Sequence, residues 1–317
     1  MSRRKPKLDV TIEDVKKAEE NYLNTIYIFR TLSELFDRNQ VNHEIEHDVM
    51  KCTDEPPVTP DFLIFLNGKI TDVIEHKSSL NVSYGKEILE EIIEKYNCLK
   101  YNDIEYHPQI ICLIPLRSLK IMEEIRNKEN IKIWLAGFDI DYDVRKITFE
   151  IHDKLQNKKI EEILNMVIPF DPIEYSEYRF IKAEPKYPTY TALTLWVNVL
   201  LSLQDPYIGK NNFFEVDFKM VSKRARNFFP EWIRNNEQLT NNRIKRGLEF
   251  LKKIGFIKWD GRKDPIVVYY TKGTKVGDLR EYFAKKFVEL YGEKKIKKEK
   301  GKILTLDYFS REKSSSR

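Results

Sequence analysis

The sequence predicts an α/β protein in which a mixed β-sheet lies between helices and a mainly α second domain follows. Two observations support this fold class. Residues 11–137 alternate between amphipathic helices and short apolar strands, in the order helix, three strands, helix, strand, helix, strand. Residues 191–271 then give three helical segments that end in a β-hairpin pattern.

The pattern divides the chain into four segments. Residues 8–152 form the first domain, 153–189 a connecting helix and linker, 190–275 the second domain, and 276–317 a last helix with a basic tail. The boundary falls in 171–190, which is rich in proline and tyrosine and has little core pattern.

Local signals place the elements of the first domain. Thr11 is a candidate N-cap with Asp14 three residues later, and Asn67-Gly68 is a strong hairpin-turn signal. The predicted helices are 11–38, 84–98, 117–128 and 154–168, and the predicted strands are 41–50, Phe62–Leu66, Lys69–Lys77, 108–115, 131–137 and 145–151.

In the second domain, we predict that Thr240 caps the third helix and that Gly255 ends it. The predicted helices are 191–203, 214–229 and 239–255, the hairpin strands are 256–259 and 265–271, and a last helix is 277–291.

Charge is distributed unevenly along the chain. Residues 1–180 hold 25 Lys/Arg and 34 Asp/Glu, a net charge of −9, whereas residues 181–317 hold 30 and 16, a net charge of +14. The basic half is therefore the natural candidate for contact with a polyanion.

The three cysteines, Cys52, Cys98 and Cys112, form no CxxC pair, and their number is odd. We expect reduced thiols rather than disulfides, and no structural zinc site. The N-terminus lacks the apolar stretch of a signal peptide, and no apolar run is long enough to cross a membrane. These features predict a soluble cytoplasmic protein.

The predicted hairpin carries an unusual set of charges. Pro60-Asp61 is followed by thirteen residues and then by Glu75-His76-Lys77. Glu75 and Lys77 are two apart on a strand and share a face, whereas the His76 side chain points to the other face. Two carboxylates and a lysine at one end of a hairpin suit chemistry on phosphates.

The pairing of the two strands decides whether these residues meet. A strict two-residue turn pairs Leu66 with Lys69 and sets Asp61 opposite Ile74. A shift of one residue sets Asp61 opposite Glu75. We therefore predict an irregularity in the hairpin, which is a bulge, a three-residue turn or a broken strand start at Pro60-Asp61.

The motif and its strand–turn–strand context resemble the PD-(D/E)xK, or restriction-endonuclease-like, nuclease superfamily. The resemblance covers roughly residues 10–137, where the element order also matches, but the motif itself spans only five positions. It implies an αβββαβ core and a Mg²⁺-dependent phosphodiester hydrolase, with Mn²⁺ as a possible substitute.

By this resemblance, Asp61, Glu75 and the backbone carbonyl of His76 are the expected metal ligands. Lys77 is expected to hold the attacking water or to stabilise the charged transition state. Members of the superfamily often add a glutamate from the first helix, for which Glu20 is the first choice. Other acidic candidates are Glu19, Glu34, Glu44 and Glu46, and Lys86 lies where a polar residue of the following helix is expected.

Three helices followed by a hairpin are typical of a winged helix, a helix-turn-helix variant. A solvated basic face or a surface for protein contacts stays an alternative to DNA binding. The Lys-rich run 294–300 is expected to attract phosphates without sequence readout. The expected DNA contacts are Lys223, Arg224, Arg226, Arg243, Lys245, Arg246, Arg262 and Lys263.

Together these features predict a Mg²⁺-dependent DNA endonuclease that the winged helix positions on duplex DNA, of the mobile-element, restriction or repair type. One such site cuts one strand, so double-strand cleavage needs a homodimer or a partner protein. Two alternatives remain. One is a non-catalytic DNA-binding or assembly protein with a degenerate nuclease fold, and the other is an RNA-cutting nuclease that uses the same site.

Overall fold

The computed structural model of the chain describes residues 8–53, 55–170, 179–204, 212–261, 265–269 and 278–292. The protein is mixed α/β, as the sequence predicts. Helix α1, Ile12–Arg38, begins with a capping box in which the Thr11 side chain accepts from the Asp14 N–H and Asp14 accepts from the Thr11 N–H. The predicted start of this helix is therefore confirmed.

The first half continues with the elements predicted up to the strand after the third helix, to which the structure adds three short strands of two or three residues. The elements of this half are β1 (Asn42–Ile45), β2 (Met50–Lys51), β3 (Phe62–Leu66), β4 (Lys69–His76), α2 (Gly85–Tyr96), β5 (Leu99–Tyr101), β6 (Ile104–Tyr106), β7 (Gln109–Pro115), α3 (Leu116–Glu129), β8 (Trp134–Asp141), β9 (Lys146–Ile151), α4 (Lys158–Ile163) and β10 (Val167–Pro169).

A seven-stranded sheet organises this half, with strand order β1-β3-β4-β7-β8-β9-β10. Strands β4, β7 and β8 are parallel, and the remaining neighbours are antiparallel. Helices α1 and α4 cover one face, and α2 and α3 cover the other. The sheet is therefore buried on both sides, which explains why β3 and β7 are apolar on both faces.

Some predicted elements of the first half differ from the observed ones. The helix predicted at 154–168 is the short α4 followed by β10, which pairs with β9. Strand β8 starts at Trp134 because Asn130 ends α3 in a left-handed conformation and the Ile131 N–H still bonds to the Arg126 carbonyl. The pair β5–β6 was not predicted, since each strand has only three residues.

Within its described residues, the second half contains a long helical stretch, a small sheet and four further helices. Its elements are α5 (Thr189–Thr194, continued by irregular helical turns to Leu203), β11 (Phe214–Val216), α6 (Phe218–Arg226), α7 (Glu231–Arg234), α8 (Glu237–Lys253), β12 (Ile257–Lys258), β13 (Ile266–Val268) and α9 (Leu279–Tyr291). The sheet has the order β11-β13-β12.

Two predictions for this half need correction. Residues 214–216 form a strand rather than the start of a helix, because they pair with β13. Helix α8 is capped by Asn236, whose side chain accepts from the Leu239 N–H, so Thr240 lies within the helix. The helix does end before Gly255, which has a φ of 74°.

The two halves share one hydrophobic core. A single cluster of buried apolar residues runs from α1 and the sheet to α5, α8 and α9. Helix α9 packs on both α1 and α5. None of the helices in the described part of the chain is long and apolar enough to cross a membrane.

The cysteine prediction is wrong for two of the three residues. Cys52 and Cys98 form a disulfide, and the remaining Cys112 is a buried free thiol. The pairing follows from the small sheet, since β2 and β5 run antiparallel and bring residues 52 and 98 opposite each other. Neither strand is long enough to be recognised from the sequence.

Arg243 lies at the joint between the halves and is only 1% exposed. Its guanidinium donates to the carbonyls of Ile181 and Lys182, the latter at 2.6 Å, and to the Tyr22 hydroxyl at 3.4 Å. The guanidinium carbon also lies 5.6 Å from the centre of the Phe229 ring. The residue therefore joins α8, the linker and α1.

We expect Arg243→Leu to lower the free energy of unfolding by about 2–4 kcal/mol, because two buried carbonyls lose their donors. Lys223→Leu, on the exposed face of α6, is the control and should change it by less than about 0.5 kcal/mol. Urea unfolding followed by circular dichroism measures both. Equal effects of the two substitutions would contradict a structural role for Arg243.

Candidate active site

The hairpin of β3 and β4 contains the predicted irregularity. Leu66 pairs with Lys69 and Phe65 with Ile70, but Ile64 then pairs with Asp72, so Thr71 is an extra residue. The two-residue turn is regular, since Asn67 and Gly68 have φ values of 52° and 75°. The irregularity is therefore a β-bulge, and the turn itself is as predicted.

The bulge sets the register at the other end of the hairpin. Beyond Thr71, Phe62 pairs with Ile74, and the next position of this register sets Asp61 opposite Glu75. An Asp61 carboxylate oxygen accepts a hydrogen bond from the His76 N–H at 2.6 Å. The two acidic residues of the motif are therefore brought together.

Glu75 is 6% exposed and has three side-chain donors. One carboxylate oxygen accepts from Lys77 Nζ at 2.9 Å and from Lys95 Nζ at 3.4 Å, and the other accepts from the Tyr96 hydroxyl at 2.5 Å. The Tyr96 hydroxyl also lies 3.2 Å from the Thr59 carbonyl oxygen. The carboxylate is thus held in one orientation by groups from β4 and α2.

Electrostatics at the site follow from burial and from the closeness of like charges. Burial, and then the charge of Glu75, raise the pKa of Asp61 well above its usual value. Burial and the Glu75 carboxylate also raise the pKa of Tyr96, so its hydroxyl keeps its proton and donates. The site therefore concentrates negative charge that a cation would offset.

Lys77 stays charged in this environment. Burial lowers its pKa, but the charge and hydrogen bond of Glu75 outweigh burial and raise it overall. Its side chain is 33% exposed, so the ammonium group reaches solvent at the edge of the sheet. Lys77 is therefore a hydrogen-bond donor and a positive charge, and it is not suited to accept a proton at neutral pH.

His76 points away from the carboxylates, as the strand pattern predicts. Its ring packs against Phe138, with ring centres 4.9 Å apart, and lies 6.1 Å from Phe29. Burial, and then the charge of Lys77, lower the pKa of His76 to about 3. The imidazole is therefore neutral and part of the core, so only the backbone of His76 faces the site edge.

Glu20 lies on the exposed face of α1 and lines a cleft of about 380 Å³ that also includes Asn24, Ser78 and Tyr142. Its predicted role in the site has no supporting contact among the described residues. Helical spacing places a residue on a helix face but does not say which part of the sheet that face meets.

Among the acidic candidates, Glu46 is hydrogen-bonded to Asp61. Its N–H donates to the Asp61 carbonyl at 3.1 Å, and its charge contributes to the raised pKa of Asp61. The Glu46 carboxylate accepts from the backbone N–H groups of Lys182 and Ala183, at 2.5 and 3.1 Å, and from the Trp232 indole at 3.2 Å. It therefore connects the linker and α7 to Asp61.

The other candidates of the first half have different partners. Glu19 is buried and accepts from Arg280 at 2.9 Å, Glu34 pairs with Arg30 at 2.9 Å, and Glu44 accepts from Tyr101 at 3.1 Å. Lys86 pairs with Glu129 at 2.9 Å, away from Glu75.

Lys95 and Tyr96 were missed by the sequence prediction. A signal for Tyr96 was present, because it follows Leu89 and Ile92 on the inner face of α2 and a buried tyrosine hydroxyl needs a partner. Lys95 carried no such signal. Its ammonium lies 4.7 Å from the centre of the Tyr96 ring, which holds it beside Glu75.

The predicted basic surface is partly exposed. Lys223 and Arg224 on α6 and Lys245 and Arg246 on α8 are exposed, although Arg246 pairs with Glu184. Arg226 is half-buried and pairs with Glu237 at 2.7 Å. A groove of about 580 Å³ between α6 and the start of α8 is lined by Lys219, Lys223, Arg226, Arg234 and six further residues.

One residue of the predicted DNA surface is buried, and another part of that surface lies outside the described residues. Arg243 is buried in the joint described above, so its prediction as a DNA contact is wrong. Its position near the start of α8 suggested exposure, but that turn of the helix faces the linker. Arg262, Lys263 and the run 294–300 lie outside the described residues.

The residues present fit a hard divalent cation. Asp61 and Glu75 supply carboxylate oxygens, which such ions prefer. Burial, and then the charge of Glu75, raise the pKa of Asp61, and a bound cation would favour its ionised form. Lys77 and Lys95 both form ion pairs with the Glu75 carboxylate, and the side chain of each is 33% exposed. Each therefore has solvent into which its ammonium group can move when a cation binds.

No family model, curated protein or solved structure matches the chain. The geometry of the site therefore carries the functional conclusion.

We expect the buried neutral His76 to make stability fall as the pH falls from about 6.5 to about 3. In this window the unfolded chain binds a proton that the folded chain excludes, so the free energy of unfolding decreases. His76→Leu should make that decrease shallower by up to ~1.4 kcal/mol per pH unit. Chemical unfolding in metal-free buffer across this range measures it, and parallel profiles would contradict the assignment.

Proposed function

We propose that the protein is a metal-dependent endonuclease of the PD-(D/E)xK type that hydrolyses phosphodiester bonds in DNA. The observation that carries the proposal is the β-bulge at Thr71, which sets Asp61 opposite Glu75 with Lys77 beside them. A hairpin with only a structural role would have no need for two acidic side chains at one partly buried edge. The element order around the hairpin supports the same proposal.

Asp61 and Glu75, with the backbone carbonyl of His76, would hold Mg²⁺ or Mn²⁺. When bound, the ion supplies charge neutralisation on the phosphate and a more acidic water. Lys77 donates to the water or to the phosphate oxygens, since its raised pKa keeps it protonated. Tyr96 and Lys95 orient Glu75, because both donate to its carboxylate.

The second half is proposed to bring DNA to the site. Its order of helix, strand, two main helices and two strands, with sheet order β11-β13-β12, supports a winged helix. Lys223, Arg224 and Lys245 are exposed on α6 and α8 and are the proposed phosphate contacts. The first 180 residues carry a net charge of −9, so the basic half has to supply the attraction for DNA.

One observation favours a second candidate, a non-catalytic DNA-binding or assembly protein. The Glu75 carboxylate already has three donors, so the charged cluster also has a self-contained structural role. RNA cleavage by the same site differs from the main proposal only in substrate. Cleavage assays separate all three.

We expect wild-type protein with Mg²⁺ or Mn²⁺ to cut supercoiled, single-stranded or branched DNA. Asp61→Asn and Lys77→Met should each lower the rate by about 100-fold or more, because they remove a metal ligand and a donor to the charged transition state. Lys69→Met, exposed at the other end of the same strand, should retain the rate. Gel assays with each substrate, and with RNA of matched sequence, measure the rates.

Metal-independent cutting, or equal rates in wild type and Lys77→Met, would contradict the proposed site. Tight DNA binding by wild type with no cutting of any substrate would favour the non-catalytic candidate. Preferential cutting of RNA would favour an RNA-cutting nuclease that uses the same site.

We expect Lys223→Ala and Lys245→Ala each to weaken DNA binding and to reduce the slope of log K against log[salt] by about 1, because each removes one phosphate contact. Lys146→Ala, exposed on β9 next to the edge strand β10 of the large sheet, is the matched control and should change neither. Fluorescence anisotropy at several salt concentrations measures affinity and slope. An unchanged slope in both α6 and α8 variants would place the DNA elsewhere.

A further inference from the structure

The small sheet of β2, β5 and β6 aligns three potential metal ligands in one row. Lys51 pairs with Leu99, which pairs in turn with Tyr106. The next row of this antiparallel register contains Cys52, Cys98 and His107, with Cys98 in the middle. Side chains in one such row project to the same face of a sheet, which brings the His107 imidazole beside the Cys98 sulfur.

A fourth ligand lies on the same face. Glu105 lies on β6, two positions before His107, which directly follows that strand, and in continued strand geometry the two share a face. Ligand atoms of Cys52, Cys98 and Glu105 lie within 4.8 Å of one another. His107 Nε2 lies 3.9 Å from the Cys98 sulfur. Two sulfurs, one imidazole and one carboxylate form a donor set that suits Zn²⁺.

The orientation of His107 also fits a metal ligand. Its Nδ1 lies 2.8 Å from the Asn97 carbonyl, which can only accept, so Nδ1 carries the proton. Nε2 then has its lone pair free and lies next to the Cys98 sulfur. A backbone carbonyl that fixes the ring tautomer in this way is the usual outer partner of a metal-bound histidine.

We propose that Cys52, Cys98, His107 and Glu105 bind a thiophilic divalent cation of the Zn²⁺ type when the cysteines are reduced, and that the disulfide is the oxidised form of the same site. Two molecules of a low-molecular-weight thiol supply the two electrons and two protons, so the S–S bond breaks into two thiols and the two reductant molecules join as a disulfide. Metal binding then displaces both thiol protons. Mg²⁺ is excluded from this site because it prefers oxygen ligands.

Either form of the site connects the end of α2 to the segment after β2. Cys98 follows Tyr96 by two residues, and Tyr96 donates to Glu75. The disulfide or the metal therefore restrains the helix end that carries Lys95 and Tyr96. The metal proposal itself does not depend on nuclease activity, since it concerns separate ligands.

Cobalt binding tests the proposal directly, because a thiolate ligand gives Co²⁺ a sulfur-to-metal charge-transfer absorption that carboxylates do not give. Full-length protein is reduced, freed of metal with a chelator, desalted without oxygen and titrated with Co²⁺ and then Zn²⁺. We expect the absorption to saturate at one Co²⁺ per chain and to disappear when Zn²⁺ is added. Protein with the Cys52–Cys98 bond intact, verified by intact mass after thiol alkylation, should show no such absorption.

Variants identify the ligands. Cys98→Ser removes one of the two thiolates and should weaken both the absorption and metal binding, and His107→Gln should weaken metal binding by about 10-fold or more. His47→Gln, another exposed histidine near the small sheet, is the control and should bind as wild type does. His107 is exposed, so its variant tests the site even if Cys98→Ser does not fold. Absence of the absorption in reduced wild type, or unchanged affinity in His107→Gln, would overturn the proposal and leave a structural disulfide.

Discussion

The pairing of β3 with β4 across the bulge at Thr71 is the constraint on which the candidate site depends. Side chains of a strand alternate between faces, so one extra residue changes which residues of the partner strand they meet. With Thr71 bulged out, Asp61 lies opposite Glu75, and Lys77 follows on the same face. The apolar residues on either side of the bulge stay in their proper layers, since Phe62 and Ile64 face α1 while Leu63 and Phe65 face α2. Core packing and the charged edge therefore fix the same register.

A second constraint joins the site to the basic half of the chain. Glu46 donates its N–H to the Asp61 carbonyl, and its carboxylate accepts from the linker at Lys182 and Ala183. Arg243 on α8 donates to the same linker at Ile181 and Lys182. Only a few hydrogen bonds thus separate α8 from Asp61. Glu46 has a φ of 48°, which costs a non-glycine residue conformational energy, and its five hydrogen bonds compensate for that cost.

The sequence predictions succeeded for features that depend on neighbouring residues and failed for features that depend on contacts between distant segments. The cap at Thr11, the turn at Asn67-Gly68 and the conflict in strand register are local, and each is present in the structure. The Arg243 prediction failed because charge alone does not determine exposure, and its guanidinium is buried against backbone carbonyls of a distant segment. The role of Glu20 stays a prediction, since its helix face lines a cleft that also includes Ser78. The sequence also did not predict the row of Cys52, Cys98 and His107, because strands of two or three residues give no periodic signal.

The sequence by itself determined the longer helices and strands, the hairpin with its paired acids and lysine, and the uneven charge of the two halves. These depend on residue spacing, turn chemistry and composition, which act over a few residues. Only the tertiary structure decided that Lys95 and Tyr96 meet Glu75, that Glu46 contacts Asp61, and that the two halves share one core. Those contacts join residues far apart in the chain, and their existence depends on how whole elements pack, which no local pattern encodes.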